Sequence, residues 1–496
     1  MDTVIPAGLH TRFLRGLERS GGGVAVHVGD QALGYERLHD LALLWGGALA
    51  EAGVRTVGVL AGKGVTAYAG ILAGLYAGAT IVPLRPDFPA ARTAQMVEAA
   101  GIDLIIADER GLTVAPEGVP VLAPESAPLR ASQALSAPLA PSSDTAYVLF
   151  TSGSTGRPKG VRIGHAAVDH YFGLLDARYD FTPDDVFSQT FDLNFDCAMF
   201  DLFCAWGAGA PAVVLPGGAY RNLPRFAAER GLTVWFSTPS AIDLVRRTGG
   251  LTPGALPGLR WSFFAGEALT VRDTADWRAA ASSSIVENLY GPTELTVTVS
   301  GYRWDDVETP RVAVNGVVPI GEVHAGHDYL LLDEESGEGE LCIAGPQMTP
   351  GYLDPADEQG RFLDRDGKRF YRTGDRCRRL GGEDLAYLGR LDSQVQVLGW
   401  RVELTEVEHA LRDCGVQDVV ALGVAGDVGT ELFVFYTGGE RPVLEMVRAL
   451  RAVLPEGVIP RHYRHVDEFP LNSNRKIDRK TLAARAAEIL APVPVG

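Results

Sequence analysis

A chain of 496 residues is too long for one ordinary domain and suits two or more. With 46% hydrophobic and 22% charged residues its composition is that of a globular enzyme. A net charge of −17 argues against nucleic acid as the main partner, and it means that any anionic ligand must be held by local cations and amides.

The five cysteines, Cys197, Cys204, Cys342, Cys377 and Cys414, form no CxxC pair. This points to a reducing compartment and away from a disulfide framework or a zinc site. The N-terminal MDTVIPAGLHTRFLRGL has no apolar signal core, and no apolar run approaches the ~20 residues of a membrane span. The expectation is a cytoplasmic protein with no membrane partner.

In chain order, Val24–Val28 and Val57–Leu60 read as strands, with Leu38, Leu41, Leu44, Trp45 and Leu49 at helical spacing between them. Ala67–Ala77 predicts a helix, Ala79–Leu84 a strand, Ala90–Ala100 a helix and Ile102–Ala107 a strand. This alternation predicts an α/β fold with stacked, mostly parallel sheets. Gly62-Lys63-Gly64 lacks the GK[ST] ending of a phosphate loop and reads as a strand-to-helix turn. Residues 114–145, rich in Pro, Ala and Ser, read as a surface connection. A helix over Ala166–Leu175 opens further α/β structure to about residue 300, and residues 310–390 read as a β-rich subdomain. From Gly389 a new unit begins: two short strands, a helix carrying Val407 and Leu411, strands over 418–425 and 431–437, and a helix over Val443–Leu454. There is no internal repeat.

Tyr147–Val161, YVLFTSGSTGRPKGV, runs from a buried strand into a loop of Gly and hydroxyl residues ending on Lys159. Such a loop wraps a polyphosphate with backbone N–H groups, hydroxyls and one cation. Its spacing is not that of a Walker loop, which disfavours a P-loop NTPase. Asn288–Glu294, NLYGPTE, offers an aromatic for a purine and a carboxylate for Mg2+. In Tyr371–Arg376, YRTGDR, the carboxylate of Asp375 after a glycine turn suits two ribose hydroxyls. Gly389–Asp392 sits where the character of the chain changes, and FPLNSNRKIDRK carries Lys476. Each stretch alone also reads plainly, as a turn, a hairpin or a solvated basic run.

Together, over roughly residues 20–485, these five stretches resemble the adenylate-forming superfamily. The similarity is greatest to the amino-acid adenylation domains of nonribosomal peptide synthesis and to stand-alone aminoacyl–carrier protein ligases. LAGLYAGATIVPL (Leu72–Leu84) and GELCIAGPQMTPGYL (Gly339–Leu353) resemble further family segments. The resemblance implies a large N-terminal domain, 1–391, and a small mobile α+β domain, 392–496, hinged at Asp392. It implies ATP and Mg2+ as cofactors. Thr151, Ser152, Gly153, Ser154, Thr155, Gly156 and Lys159 match the loop over the β- and γ-phosphates. Gly266, Glu267 and Asn288 match the adenine site, with Tyr290 stacked on the base, and Gly291 and Thr293 match further ATP-binding positions. Asp375 and Arg390 match ribose or phosphate contacts, and Glu294 the Mg2+ ligand. Lys476 matches the lysine that bridges the substrate carboxylate and the α-phosphate.

Phe191–Phe203, FDLNFDCAMFDLF, holds three aspartates among apolar residues. A carboxylate there needs a partner, and a substrate ammonium is a natural one. Asp196 matches the family's ammonium-binding acid; spacing leaves Asp192 open as the alternative. By the resemblance Cys197, Phe200, Phe236, Phe263, Ala265, Leu289, Val297 and Thr298 line the side-chain pocket. No charge is among them and three are Phe, so the pocket expected is small and apolar. Ala265, Leu289 and Val297 resemble prolyl ligases. FDLF and GEAL resemble D-alanine ligases, although those carry Cys where Ala265 stands. L-proline is the first expectation and alanine the second. The chain ends without a carrier segment, so the expected acceptor is a separate phosphopantetheinylated carrier protein, met through arginines at 461–464 or 376–379. The competing readings are a CoA ligase on a small carboxylic acid and a catalytically idle interaction protein of the same fold.

Overall fold

The computed structural model describes residues 8–124, 129–153, 156–335, 337–391, 394–426, 429–470 and 477–490. Two compact units emerge. One comprises Met1–Pro86, Met96–Phe150 and Lys159–Leu391, and the other Asp87–Gln95, Thr151–Pro158 and Asp392–Gly496.

The larger unit holds a nine-stranded sheet, a six-stranded sheet and a five-stranded antiparallel sheet. In the nine-stranded sheet the strands Phe187–Gln189, Val234–Ser237, Trp261–Phe264 and Ile285–Tyr290 run parallel side by side, and antiparallel strands close both edges. The central strands of the six-stranded sheet, including Thr56–Leu60, Thr80–Leu84 and Leu104–Ala107, are likewise parallel. Parallel strands have helices on their faces, so they read as continuous apolar runs rather than alternating ones. The Cys197–Ala208 helix, CAMFDLFCAWGA, is buried along its whole length because every position but Asp201 is apolar or small. One contiguous buried cluster takes residues from both parallel sheets and from the helices His10–Ser20, Tyr35–Glu51, Val65–Tyr76 and Cys197–Ala208. At the C-terminus of that last helix Arg12 and Arg15 donate to the Phe203 and Gly207 carbonyls, and both also hold Asp176.

The smaller unit packs the Leu404–Asp413 and Val443–Arg451 helices on a three-stranded sheet, Val419–Ala425, Thr430–Tyr436 and His462–His465, beside a two-stranded hairpin, Gln394–Val397 and Trp400–Glu403. The other face of that sheet is covered by the Arg479–Leu490 helix through Leu482 and Ala486.

The Val24–Val28 strand and the Ala90–Ala100 helix have the expected bounds. The connection over 114–145 is more tightly tied than a surface linker. Leu135 and Leu139 donate to the Leu43 and Tyr76 carbonyls, and a Cβ at Gly47 would sit 1.7 Å from the Gln133 carbonyl oxygen. The expected glycine turn before Asp375 is instead an irregularity inside one long strand, Lys368–Arg379, with Gly374 at φ +74. Among the described residues no helix is long and apolar enough to cross a membrane.

Candidate active site

Carboxyl ends of parallel strands leave a crevice where connections diverge, and that is where ligands bind in α/β sheets. Three adjacent strands deliver Phe236, Phe263 with Ala265, and Leu289 with Tyr290 to this edge. Phe236 and Phe263 are partners in register and so share a face. Phe200, from the Cys197–Ala208 helix, lies against both, with ring centroids 4.7 and 5.3 Å away. Phe191 covers the other side of Phe236 at 4.8 Å. Cys197, Phe200, Phe236, Phe263, Ala265, Leu289 and Val297 all belong to one buried cluster. Buried Thr298 adjoins it, 3.1 Å from the Tyr171 hydroxyl.

Asp196 immediately precedes the buried helix and is only 8% exposed. Burial drives its carboxyl up to about 6; hydrogen bonds from Thr293 and Cys197 oppose this, and the charge of Glu294 adds to it. Among the described residues no cation pairs with it. Asp192, four residues earlier, is paired instead with Arg85 and with Lys63, whose Nζ is 3.8 Å away. The two acids left open by spacing thus differ: Asp192 has two cationic partners, and no described cation pairs with Asp196.

The loop after Tyr290 is built under strain. Gly291 is required by close approach, since a Cβ there would lie 2.6 Å from the Thr298 Cα. Thr296 and Val297 adopt φ values of +57 and +67, costly for β-branched residues. Fully buried Gln347 holds this loop. Its side-chain amide donates to the carbonyls of Leu295, Thr296 and Thr298 at 3.1, 3.2 and 2.8 Å, and its backbone carbonyl accepts from the Thr296 hydroxyl at 2.6 Å. Glu294, also buried, accepts from the Tyr352 hydroxyl at 2.6 Å, and its carbonyl accepts from the Thr349 N–H. Gln347, Thr349 and Tyr352 all lie in the GPQMTPGYL run; its polar residues, in a segment otherwise rich in turn formers, were the available signal for a support role.

Tyr290 donates its hydroxyl to Asp375 Oδ2 at 2.6 Å, and Arg390 Nη1 donates to Asp375 Oδ1 at 2.9 Å. Asp375 thus joins the ends of two sequence-distant motifs. Asn288 donates to the Val318 and Pro319 carbonyls. Gly266 has φ +88, and Glu267 accepts from the Ser240 N–H at 2.9 Å. Lys159 opens the Lys159–Gly164 strand, buried, with Nζ 3.8 Å from Asp357.

In the smaller unit the Ser152 hydroxyl donates to the Arg401 carbonyl at 2.6 Å and accepts from the Glu403 N–H. The Gly153 carbonyl accepts from the Gly156 N–H, and Thr151 ends the strand that begins at Thr145. Gly156, at φ +79, lies so near His409 that a Cβ would be 2.5 Å from its ring. Ser154, Thr155, Asp392 and Lys476 lie outside the described residues. The arginines at 376, 378 and 379 do not form a free basic face, because Glu338 pairs with the first two and Glu334 with the third. Arg461 is drawn to Glu431 at 3.7 Å.

The stacked α/β sheets and the acids and aromatics at their strand ends define an adenylate-forming enzyme. Residues 13–353 match the AMP-binding enzyme family, and the chain belongs to it. Within that family it matches the adenylation domains of nonribosomal peptide synthesis. It is similar to IdnL7, with 56% identity and a TM-score of 0.76 over 98% of this chain and 99% of that one. The adenylation domain AlmE of Vibrio cholerae, solved with glycyl-adenosine-5'-phosphate, is 26% identical with a TM-score of 0.86 over 98% and 99% of the two chains. PA1221, a nonribosomal peptide synthetase protein with adenylation and PCP domains, is 27% identical with a TM-score of 0.82 over 97% and 84%. The curated relatives are longer: the chain spans 14%, 45% and 47% of the first three it matches.

Proposed function

We propose that the protein activates a small apolar amino acid, L-proline first and alanine second, with ATP, and then passes it to the phosphopantetheine thiol of a carrier protein. The observation that carries this reading is Asp196, a buried carboxylate without a described cationic partner at the rim of an apolar, aromatic cluster. A substrate ammonium supplies the missing charge. Uncharged lining and three Phe rings favour a short apolar side chain. The glycyl adenylate bound by AlmE and the PCP domain of PA1221 support the amino-acid class and the carrier acceptor.

In the first step a substrate carboxylate oxygen attacks the α-phosphorus; the bond to the β-phosphate breaks and pyrophosphate leaves. Two anions must meet, so cationic compensation in the transition state sets the rate. Lys476 bridges the carboxylate and the α-phosphate, and Lys159, with the Thr151–Gly156 loop, holds the departing pyrophosphate. Tyr290, beside Gly266 and Asn288, takes the adenine, and Asp375 with Arg390 takes the ribose. Glu294 fits Mg2+, which binds through one or two carboxylates together with substrate phosphates; the Tyr352 hydroxyl fixes its orientation. When bound, the ion neutralises phosphate charge. In the second step the carrier thiolate attacks the acyl carbon and AMP leaves. Rotation of a 392–496 domain about Asp392 exchanges the groups at the carbonyl between steps.

Incubation with ATP, Mg2+, L-proline or L-alanine and a phosphopantetheinylated carrier tests the second step by intact mass. A mass gain of one aminoacyl group, cleaved by hydroxylamine and absent from the unmodified carrier, is expected. Aminoacyl-AMP formation without any carrier adduct across a panel of carriers would contradict the transfer.

A further inference from the structure

Asp196 is reached by a short connection from the Phe187–Gln189 strand, and that connection is held from the other parallel sheet. Lys63 follows the Thr56–Leu60 strand and Arg85 follows its neighbour Thr80–Leu84. Lys63 Nζ donates to the Thr190 carbonyl at 2.9 Å and lies 3.8 Å from Asp192 Oδ1. Arg85 Nη1 engages Asp192 Oδ2. The Thr190 N–H donates to buried Asp201 at 3.1 Å, and its hydroxyl donates to the Phe236 carbonyl. The Phe195 N–H closes back on the Asp192 carbonyl at 2.9 Å. Lys63, Arg85 and Asp192 have side-chain exposures of 16%, 21% and 41%, so the pairings are only partly screened.

A lysine tucked beneath a backbone carbonyl costs desolvation and side-chain entropy. It adds little to burial of the apolar core, yet it fixes the two residues from which the chain turns into Asp196. We infer that Lys63 and Arg85 are positioning residues for amino-acid selection: they clamp Thr190 and Asp192 so that the Asp196 carboxylate meets the substrate ammonium. Neither touches the substrate in this account; they act through the connection. The clamp also keeps Asp192 neutralised, so that one carboxylate, not two, is offered to the ammonium. This rests on the reading of Asp196 as the ammonium partner.

The test uses the full chain and ATP–pyrophosphate exchange with two pairs of probes: L-alanine against propionate, and L-proline against cyclopentanecarboxylate. The quantity read is the ratio of kcat/KM for the amino acid to that for its des-amino analogue. In Lys63→Met the ratio falls roughly tenfold or more, within the ~100-fold that a 1 Å misplacement can cost, and the KM for ATP stays at its wild-type value. Lys63→Arg keeps a cation and a donor for the Thr190 carbonyl and restores the ratio. If Lys63→Met does not fold, Arg85→Met, at the more exposed end of the clamp, lowers the ratio in the same direction. Equal loss for amino acid and analogue, or an unchanged ratio, overturns the positioning role. A wild-type enzyme that turns over both members of each pair equally overturns the reading of Asp196 beneath it.

Discussion

Replacing Asp196 by Asn separates the charge of this residue from its size. The wild-type carboxyl is raised by burial from 3.8 to about 6, so its ionised form is disfavoured by ~3 kcal/mol in the empty protein. For an acid raised on folding, this burden is absent below the unfolded pKa near 4, grows as pH rises to about 6, and is constant above. Asp196→Asn is therefore expected to melt higher than the wild type at pH 8, by several degrees on ~1–3 kcal/mol, and no higher at pH 4. The same substitution removes the ammonium's counter-charge. Deleting one partner of a buried pair costs ~3–5 kcal/mol, a loss of about 100-fold to 1,000-fold or more in kcat/KM for the amino acid. The KM for ATP is expected to be unchanged. Differential scanning fluorimetry across pH and steady-state exchange read the two effects. A variant less stable at pH 8 that still turns over the amino acid normally would rule out Asp196 as a buried acid that pairs with the ammonium.

Further outcomes follow from the same contacts. As pH falls below about 6, protonation of Asp196 raises the amino-acid KM while the ATP KM holds, which a pH series of exchange rates checks. Gln347→Leu leaves the Leu295, Thr296 and Thr298 carbonyls without the amide that holds them, and it is expected to cost ~3 kcal/mol by urea unfolding and to weaken binding of both substrates. Tyr290→Phe keeps the ring and removes the hydroxyl to Asp375; a several-fold rise in ATP KM with little change in amino-acid KM is expected. Burial raises the Asp176 carboxyl, but Arg12 and Arg15 outweigh it and hold the group down at about 2. Its stabilising contribution is full above pH ~4 and disappears as pH falls toward 2, so Asp176→Asn narrows the gap to wild type in acid-unfolding curves.

Long periodic segments were legible because burial and chain periodicity agree in them, as in the Ala90–Ala100 helix and the Val24–Val28 strand. The Phe191–Phe203 run announced a buried acid, because carboxylates are scarce among so many apolar residues. Which of its acids has no described cationic partner was not legible. That depends on Lys63 and Arg85, residues more than 100 positions away whose approach is set by the packing of two sheets. Gly62-Lys63-Gly64 is a turn, as its missing phosphate-loop ending suggested, but nothing local says that the lysine reaches Thr190. The Gly374 irregularity imitates a hairpin turn because both call for positive φ. The strained Thr296-Val297 pair has no local signal, since β-branched residues avoid that region unless tertiary contacts such as those of Gln347 impose it. The arginines at 376–379 look basic in sequence, yet Glu338 on the neighbouring strand and Glu334 on the strand beyond it pair with them.

ATP–pyrophosphate exchange with a panel of amino acids and simple carboxylic acids decides whether the enzyme activates amino acids. Mg2+-dependent exchange is expected with small apolar amino acids, L-proline or alanine foremost, and with their des-amino analogues only at a kcat/KM lower by about 100-fold or more. Exchange supported by a simple carboxylic acid, with no amino acid active, would contradict amino-acid activation.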